Sequence, residues 1–117
     1  MTSNPTVLEL LPKGLPWPSG GYVEVALLNV QGVDVSRSIG GELSVGDEPG
    51  LGSWQAIGAR LKSGAVIELI EHIHQPTKGF ALRVDRGFGL GATLDETLAA
   101  LGIGKESVLW RSPLIQQ

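Results

Sequence analysis

The chain contains no cysteine. That excludes disulfides, thiolate metal sites and a cysteine nucleophile, and it suits a cytoplasmic protein. Aromatic residues are scarce: three Trp, two Phe and one Tyr. Each ring therefore counts as a core plug or as an anchor for a partner. Long apolar runs are missing too, since stretches such as Val25 to Leu28 fall far short of a bilayer span, and no membrane association is expected. The start, Met1-Thr2-Ser3-Asn4-Pro5, has neither a basic segment nor an apolar core, so no signal peptide is expected. Lys and Arg number nine against twelve Asp and Glu, and they do not cluster. Phosphate backbones need clustered bases, so direct binding of nucleic acid is not expected.

What is present is a chain of 117 residues, 42% hydrophobic and 18% charged. Those proportions support one packed core rather than a disordered chain, and residues 1–117 read as a single domain. The net charge of −3 is unevenly placed. Residues 1–55 hold six acids (Glu9, Glu24, Asp34, Glu42, Asp47, Glu48) and two bases (Lys13, Arg37). Residues 56–117 hold six acids and seven bases. An acidic N-terminal half is compatible with a basic protein partner; a merely solvated acidic loop region explains it equally well.

Residues 1–20 carry four of the seven prolines and read as a Pro-rich N-terminal arm, with a short strand at Val7 to Leu11. Gly21 to Val30 alternates through Val23, Val25 and Leu27 and reads as a strand. Ser38 to Val45 reads as another, shorter one. Gly46 to Gly52 reads as a loop, with Asp47-Glu48-Pro49-Gly50 as its turn.

The next segment can be registered by parity, because a one-residue slip turns every side chain to the other face. A three-residue Lys62-Ser63-Gly64 loop sets Leu61 against Ala65, Ala59 against Ile67 and Ile57 against Leu69, all apolar. A two-residue loop sets Arg60 against Ile67, so the longer loop is expected, with Gly64 left-handed. A second turn at Gln75-Pro76-Thr77-Lys78 sets Ile73 against Phe80 and Leu69 against Val84. Glu71 then faces Leu82, an unexplained exception. Thr93-Leu94-Asp95-Glu96 matches a capping box, and Asp95 and Glu96 suit the positive end of a helix. Leu94, Leu98 and Leu101 form one stripe, and Gly102 stops the helix. Val108 to Arg111 is a last strand, with Val108 and Trp110 on one side and Pro113 ending it. The expected class is α+β: an antiparallel sheet of about five to six strands, including a 57–84 meander, with one C-terminal helix at about 93–101 packed on one face.

Little of this carries chemistry. His72 and His74 sit two apart on an expected strand, about 6.6 Å from each other, a spacing that zinc can bridge. A third ligand is missing: Glu68 is on the same face but about 13 Å from His72, and Asp85, expected opposite Glu68, is no nearer. No nucleophile sits beside either histidine, so no catalytic set is assembled. Gly87-Phe88-Gly89-Leu90-Gly91 precedes the helix but lacks both the dinucleotide spacing and a phosphate-loop lysine. A flexible connection is the simpler reading. No cofactor and no metal are expected.

The run Ala59 to His72, then Phe80-Ala81-Leu82-Arg83-Val84-Asp85, Leu94 to Leu101 and Val108-Leu109-Trp110 resembles a pattern in small bacterial immunity proteins of contact-dependent growth inhibition and related polymorphic toxin systems. The resemblance covers about half the chain. It implies a non-enzymatic protein that binds its cognate toxin in the cytoplasm and blocks the toxin's active site. A basic, nuclease-type toxin would suit the acidic half. Glu42, Asp47, Glu48 and Asp34 are then the expected partner-binding acids, with Asp47 and Glu48 as adjacent, phosphate-like carboxylates. Trp17, the indole best placed to be exposed, is the expected aromatic contact. The alternatives are an accessory or structural interaction subunit, and a small-molecule-binding or enzymatic domain centred on His72 and His74.

Overall fold

The computed structural model describes residues 5–11, 17–76 and 78–115. It is an α+β structure with one antiparallel sheet, ordered β1-β4-β5-β6-β2-β7, and β3 paired to β4 beyond β1. The strands are β1 (Val7–Leu11), β2 (Tyr22–Leu28), β3 (Ser44–Glu48), β4 (Gly52–Leu61), β5 (Val66–His72), β6 (Phe80–Asp85) and β7 (Val108–Arg111). The helices are α1 (Gly32–Ile39) and α2 (Leu90–Leu101). The sheet thus has seven strands rather than five to six, and two helices rather than one. No helix among the described residues is long and apolar enough to cross a membrane.

The meander forms in the expected hairpin register. Ala59 pairs with Ile67 and Ile57 with Leu69, and the Leu61 N–H donates to the Ala65 carbonyl. Gly64 sits at φ +97, a conformation that L side chains rarely adopt. The second turn preserves the faces but not the register: Leu69 pairs with Leu82 and Ile67 with Val84, two residues from the expected pairing. Parity survives a shift of two, so only the loop lengthens. Glu68 accordingly faces Arg83, not Asp85. Glu71 no longer faces Leu82. Its carboxylate accepts the Gln55 side-chain amide at 2.8 Å and the Gly79 N–H at 3.3 Å, which accounts for an acid at the end of an apolar strand.

Both helices cover the same face. α1 meets β4, and α2 meets β2 and β6. Ile57, Ala59, Leu61, Ile67, Leu69, Phe80, Leu82 and Val84 from the sheet bury against Val35 and Ile39 of α1 and Leu94, Leu98 and Leu101 of α2. The α2 leucine stripe is as expected, and Gly102 closes the helix at φ +69. The capping box does not form. α2 begins at Leu90, which places Thr93 inside it, where its hydroxyl donates to the Gly89 carbonyl. Glu96 reaches across to the β4–β5 turn and accepts both the N–H and the hydroxyl of Ser63. A tertiary partner outcompetes the local one.

Three further expectations change. Residues 38–45 are not a strand: α1 ends at Ile39, Gly40 closes it at φ +92, and β3 starts only at Ser44. Residues 46–52 are not a loop, because Asp47 and Glu48 belong to β3 and pair with Ser53 and Gly52. The turn shrinks to Pro49-Gly50-Leu51. In β7 the ladder shifts between Leu27–Trp110 and Leu28–Val108, leaving Leu109 as an extra residue. Adjacent Leu27 and Leu28 point to opposite faces, so Val108 and Trp110 do too. The β1 strand stands as expected. The remainder of the expected arm lies partly outside the described residues, at 1–4 and 12–16.

Leu69 is fully buried at the centre of the sheet. Leu69→Ala should cost about 2–5 kcal/mol of stability, because the removed methyls leave a cavity that flanking strands cannot close. Urea unfolding measures this. A cost under about 1 kcal/mol would show that this face is not a close-packed core.

Candidate functional site

The five residues expected to bind a partner do not form one patch. Asp47 and Glu48 lie on β3, which among the described residues pairs with β4 alone. Asp47 accepts the Ser53 hydroxyl at 3.0 Å, and Glu48 lies 3.1 Å from His72 Nε2. Both are exposed. Strand alternation sends these neighbours to opposite faces, so they are not the paired, phosphate-like carboxylates expected of a turn. Glu42 is exposed on the short connection entering β3, and it lines a shallow groove with Val33, Arg37 and Gln55.

Asp34 sits in the first turn of α1, 3.6 Å from Arg37, a position that suits the helix dipole. It borders a different depression, shared with Ser38 and Leu101. Trp17 is remote from all of these. It is half-buried and packs on Tyr22, with ring centroids 5.4 Å apart. Tyr22 pairs with Asp85, whereas β3 joins the end of β4 where Trp54 pairs with His72. These are opposite ends of the sheet. The most exposed indole is Trp110, at 46%.

The histidine alternative loses its geometry. β5 ends at His72, so His74 lies beyond the strand, with its ring against Gly52. Among the described residues no group of three His, Asp or Glu is placed to hold a metal ion.

Sequence reasoning missed a polar network on the helix-free face of the sheet. Arg83 reaches Glu68 at 3.2 Å and Glu24 at 3.4 Å, and its guanidinium stands 4.7 Å over the Tyr22 ring. Asp85, fully buried, accepts the Ser19 N–H at 2.9 Å and the Ser19 hydroxyl at 3.0 Å. A buried carboxylate needs such donors. The available signal was one charged residue on the non-core parity of each of three strands, Glu68, Arg83 and Glu24; only the correct β5–β6 register joins them. With one cation between two carboxylates and an aromatic ring, this network satisfies itself.

The β3 edge is built with care. Gly46 has no side chain because Trp54 occupies the space: a Cβ there would sit within its ring. The indole ring lies over Gly46, and the neighbouring Val45 is left 75% exposed. Comparison with protein-family models, with curated proteins and with solved structures finds no match for this chain.

Gly46→Ala must push Trp54 or β3 aside. Amides of Ser44 to Glu48 should then exchange with solvent faster, while those of Ile67 to Ile70 keep their protection. Hydrogen exchange read residue by residue checks this. Unchanged protection in β3 would mean that the ring moves freely and does not anchor the strand.

Proposed function

We propose that this chain is a non-enzymatic protein-binding domain that docks a basic partner along the β3 edge, as an immunity protein does when it covers the active site of its toxin. The observation that carries the reading is the β3 edge itself. It is a regular five-residue strand with one side unpaired among the described residues, an exposed Val45, and Asp47, Glu48 and nearby Glu42 as its charged groups. An open strand edge offers main-chain pairing, and the acids select a basic partner. The polar clusters elsewhere are engaged with one another, which favours a recognition role over a catalytic one. The pattern shared with immunity proteins supplies the toxin as the kind of partner.

Two experiments test this. Co-expression with the product of the neighbouring gene should rescue growth if that product is a toxin. An unaffected, equally viable strain without the chain would remove the immunity reading and leave the accessory-subunit one. Asp47→Lys with Glu48→Lys should then slow association several-fold at low salt, and the difference should shrink as salt rises, because steering between opposite charges acts on the on-rate. Stability should move by only about 0.5 kcal/mol, since both sites are exposed. Association at the wild-type rate in low salt would place the contact elsewhere.

A further inference from the structure

β3 reads Ser44-Val45-Gly46-Asp47-Glu48, with no Lys, Arg or Pro, and pairs with β4 alone among the described residues. Its side chains alternate between the two faces of the sheet. Val45 pairs with Gln55 and Asp47 with Ser53, which puts both on the helix side. Gln55 is part of the shallow groove shared with Val33, Leu43 and Glu42. Val45 therefore stands beside that groove, 75% exposed, and Val33 within it is 59% exposed. On the helix-free side Gly46 lies under the Trp54 ring, and Glu48 meets His72. In chain order the edge offers an apolar contact, a position without a side chain, and two carboxylates that face opposite ways.

We infer that the segment this edge takes is an extended one of the order basic, basic, any residue, apolar, paired antiparallel to β3. This rests on the reading of β3 as the edge that docks a basic partner. Each strand pair of the sheet is antiparallel, and a strand added in the same sense continues the pattern. Residues directly opposite on neighbouring strands stand about 5 Å apart at Cβ and share a face. The first base then meets Glu48 and the second meets Asp47. The third residue lies over Gly46, and the fourth meets Val45 on the groove side. Consecutive bases of an extended segment face opposite ways, as Asp47 and Glu48 do; bases on one face of a helix do not. Charge complementarity selects the two bases, and the exposed valines select the apolar residue. The occupant is a different chain: no two Lys or Arg residues are adjacent anywhere in this sequence, so a second copy has no segment of this order.

Backbone-amide NMR of the chain, titrated at low salt with end-capped synthetic peptides, is the test. The peptide Thr-Lys-Arg-Thr-Val-Thr should shift the signals of Ser44 to Glu48 and leave those of Ile67 to Ile70 in place. The reversed peptide, Thr-Val-Thr-Arg-Lys-Thr, has the same composition and charge. It should bind about fivefold more weakly, because no antiparallel register matches its valine and both its bases. Replacing the valine of the first peptide by asparagine should weaken binding about threefold to the wild-type chain. That preference should shrink in Val45→Asn, an exposed change whose spectrum also reports its folding. Equal, salt-sensitive shifts from the forward and reversed peptides overturn the inference and leave the basic-partner reading standing. So does a valine preference undiminished in Val45→Asn. No shift in β3 from either peptide at its highest soluble concentration overturns the inference and counts against that reading as well.

Discussion

The register of β4 on β5, set by the three-residue turn Lys62-Ser63-Gly64, is the constraint on which the molecule is built. A slip of one residue would turn Ile57, Ala59 and Leu61 away from the helices and leave both faces of the sheet mixed. The turn is also where the two layers are tied together. Glu96 of α2 accepts the N–H and the hydroxyl of Ser63, so the helix that covers the meander grips the turn that registers it. β6 then extends the same apolar face through Leu82 and Val84, and β2 follows from β6.

With one face given to the core, the rest of the chemistry has two places to go. The helix-free face holds groups that neutralise each other: Arg83 with Glu68 and Glu24, and Asp85 with Ser19. Such a face is costly to disturb. The edges remain. One is acidic and backed by Trp54; the other, β7, leaves Leu109 and Trp110 exposed. Backbone groups at a sheet edge are unsatisfied until something pairs with them or water does. The proposed function places its partner at the acidic edge, where the side chains select a basic one.

Where local sequence signals misled, a longer-range contact was the cause. Ser38 to Val45 reads as a short strand, yet Val35 and Ile39 are spaced to bury one helical face, and Gly40 supplies the left-handed stop that ends the helix within that stretch. Asp47-Glu48-Pro49-Gly50 reads as a turn by composition, but pairing with Ser53 and Gly52 draws the two acids into the ladder and leaves the turn to Pro49, Gly50 and Leu51. Thr93 and Glu96 have the spacing of a capping box, and the structure spends both elsewhere. In each case propensity was a local prior, and packing supplied the larger free energy.

The amino-acid order by itself determined the α+β class, the 57–84 meander with its apolar parity, the Gly64 turn, the leucine stripe closed by Gly102 and the last strand at Val108 to Arg111. These depend on side-chain periodicity and on glycine conformations, which act over a few residues. Tertiary structure alone decided which acids share an edge. It separated Trp17 from Glu42, Asp47 and Glu48 by the length of the sheet, split Asp47 from Glu48 across its two faces, and brought Arg83 between Glu24 and Glu68. Such juxtapositions join residues dozens of positions apart, and a shift of two residues in one loop is enough to exchange Asp85 for Arg83 opposite Glu68. Periodicity is unchanged by that shift, so the sequence carries no local mark of it.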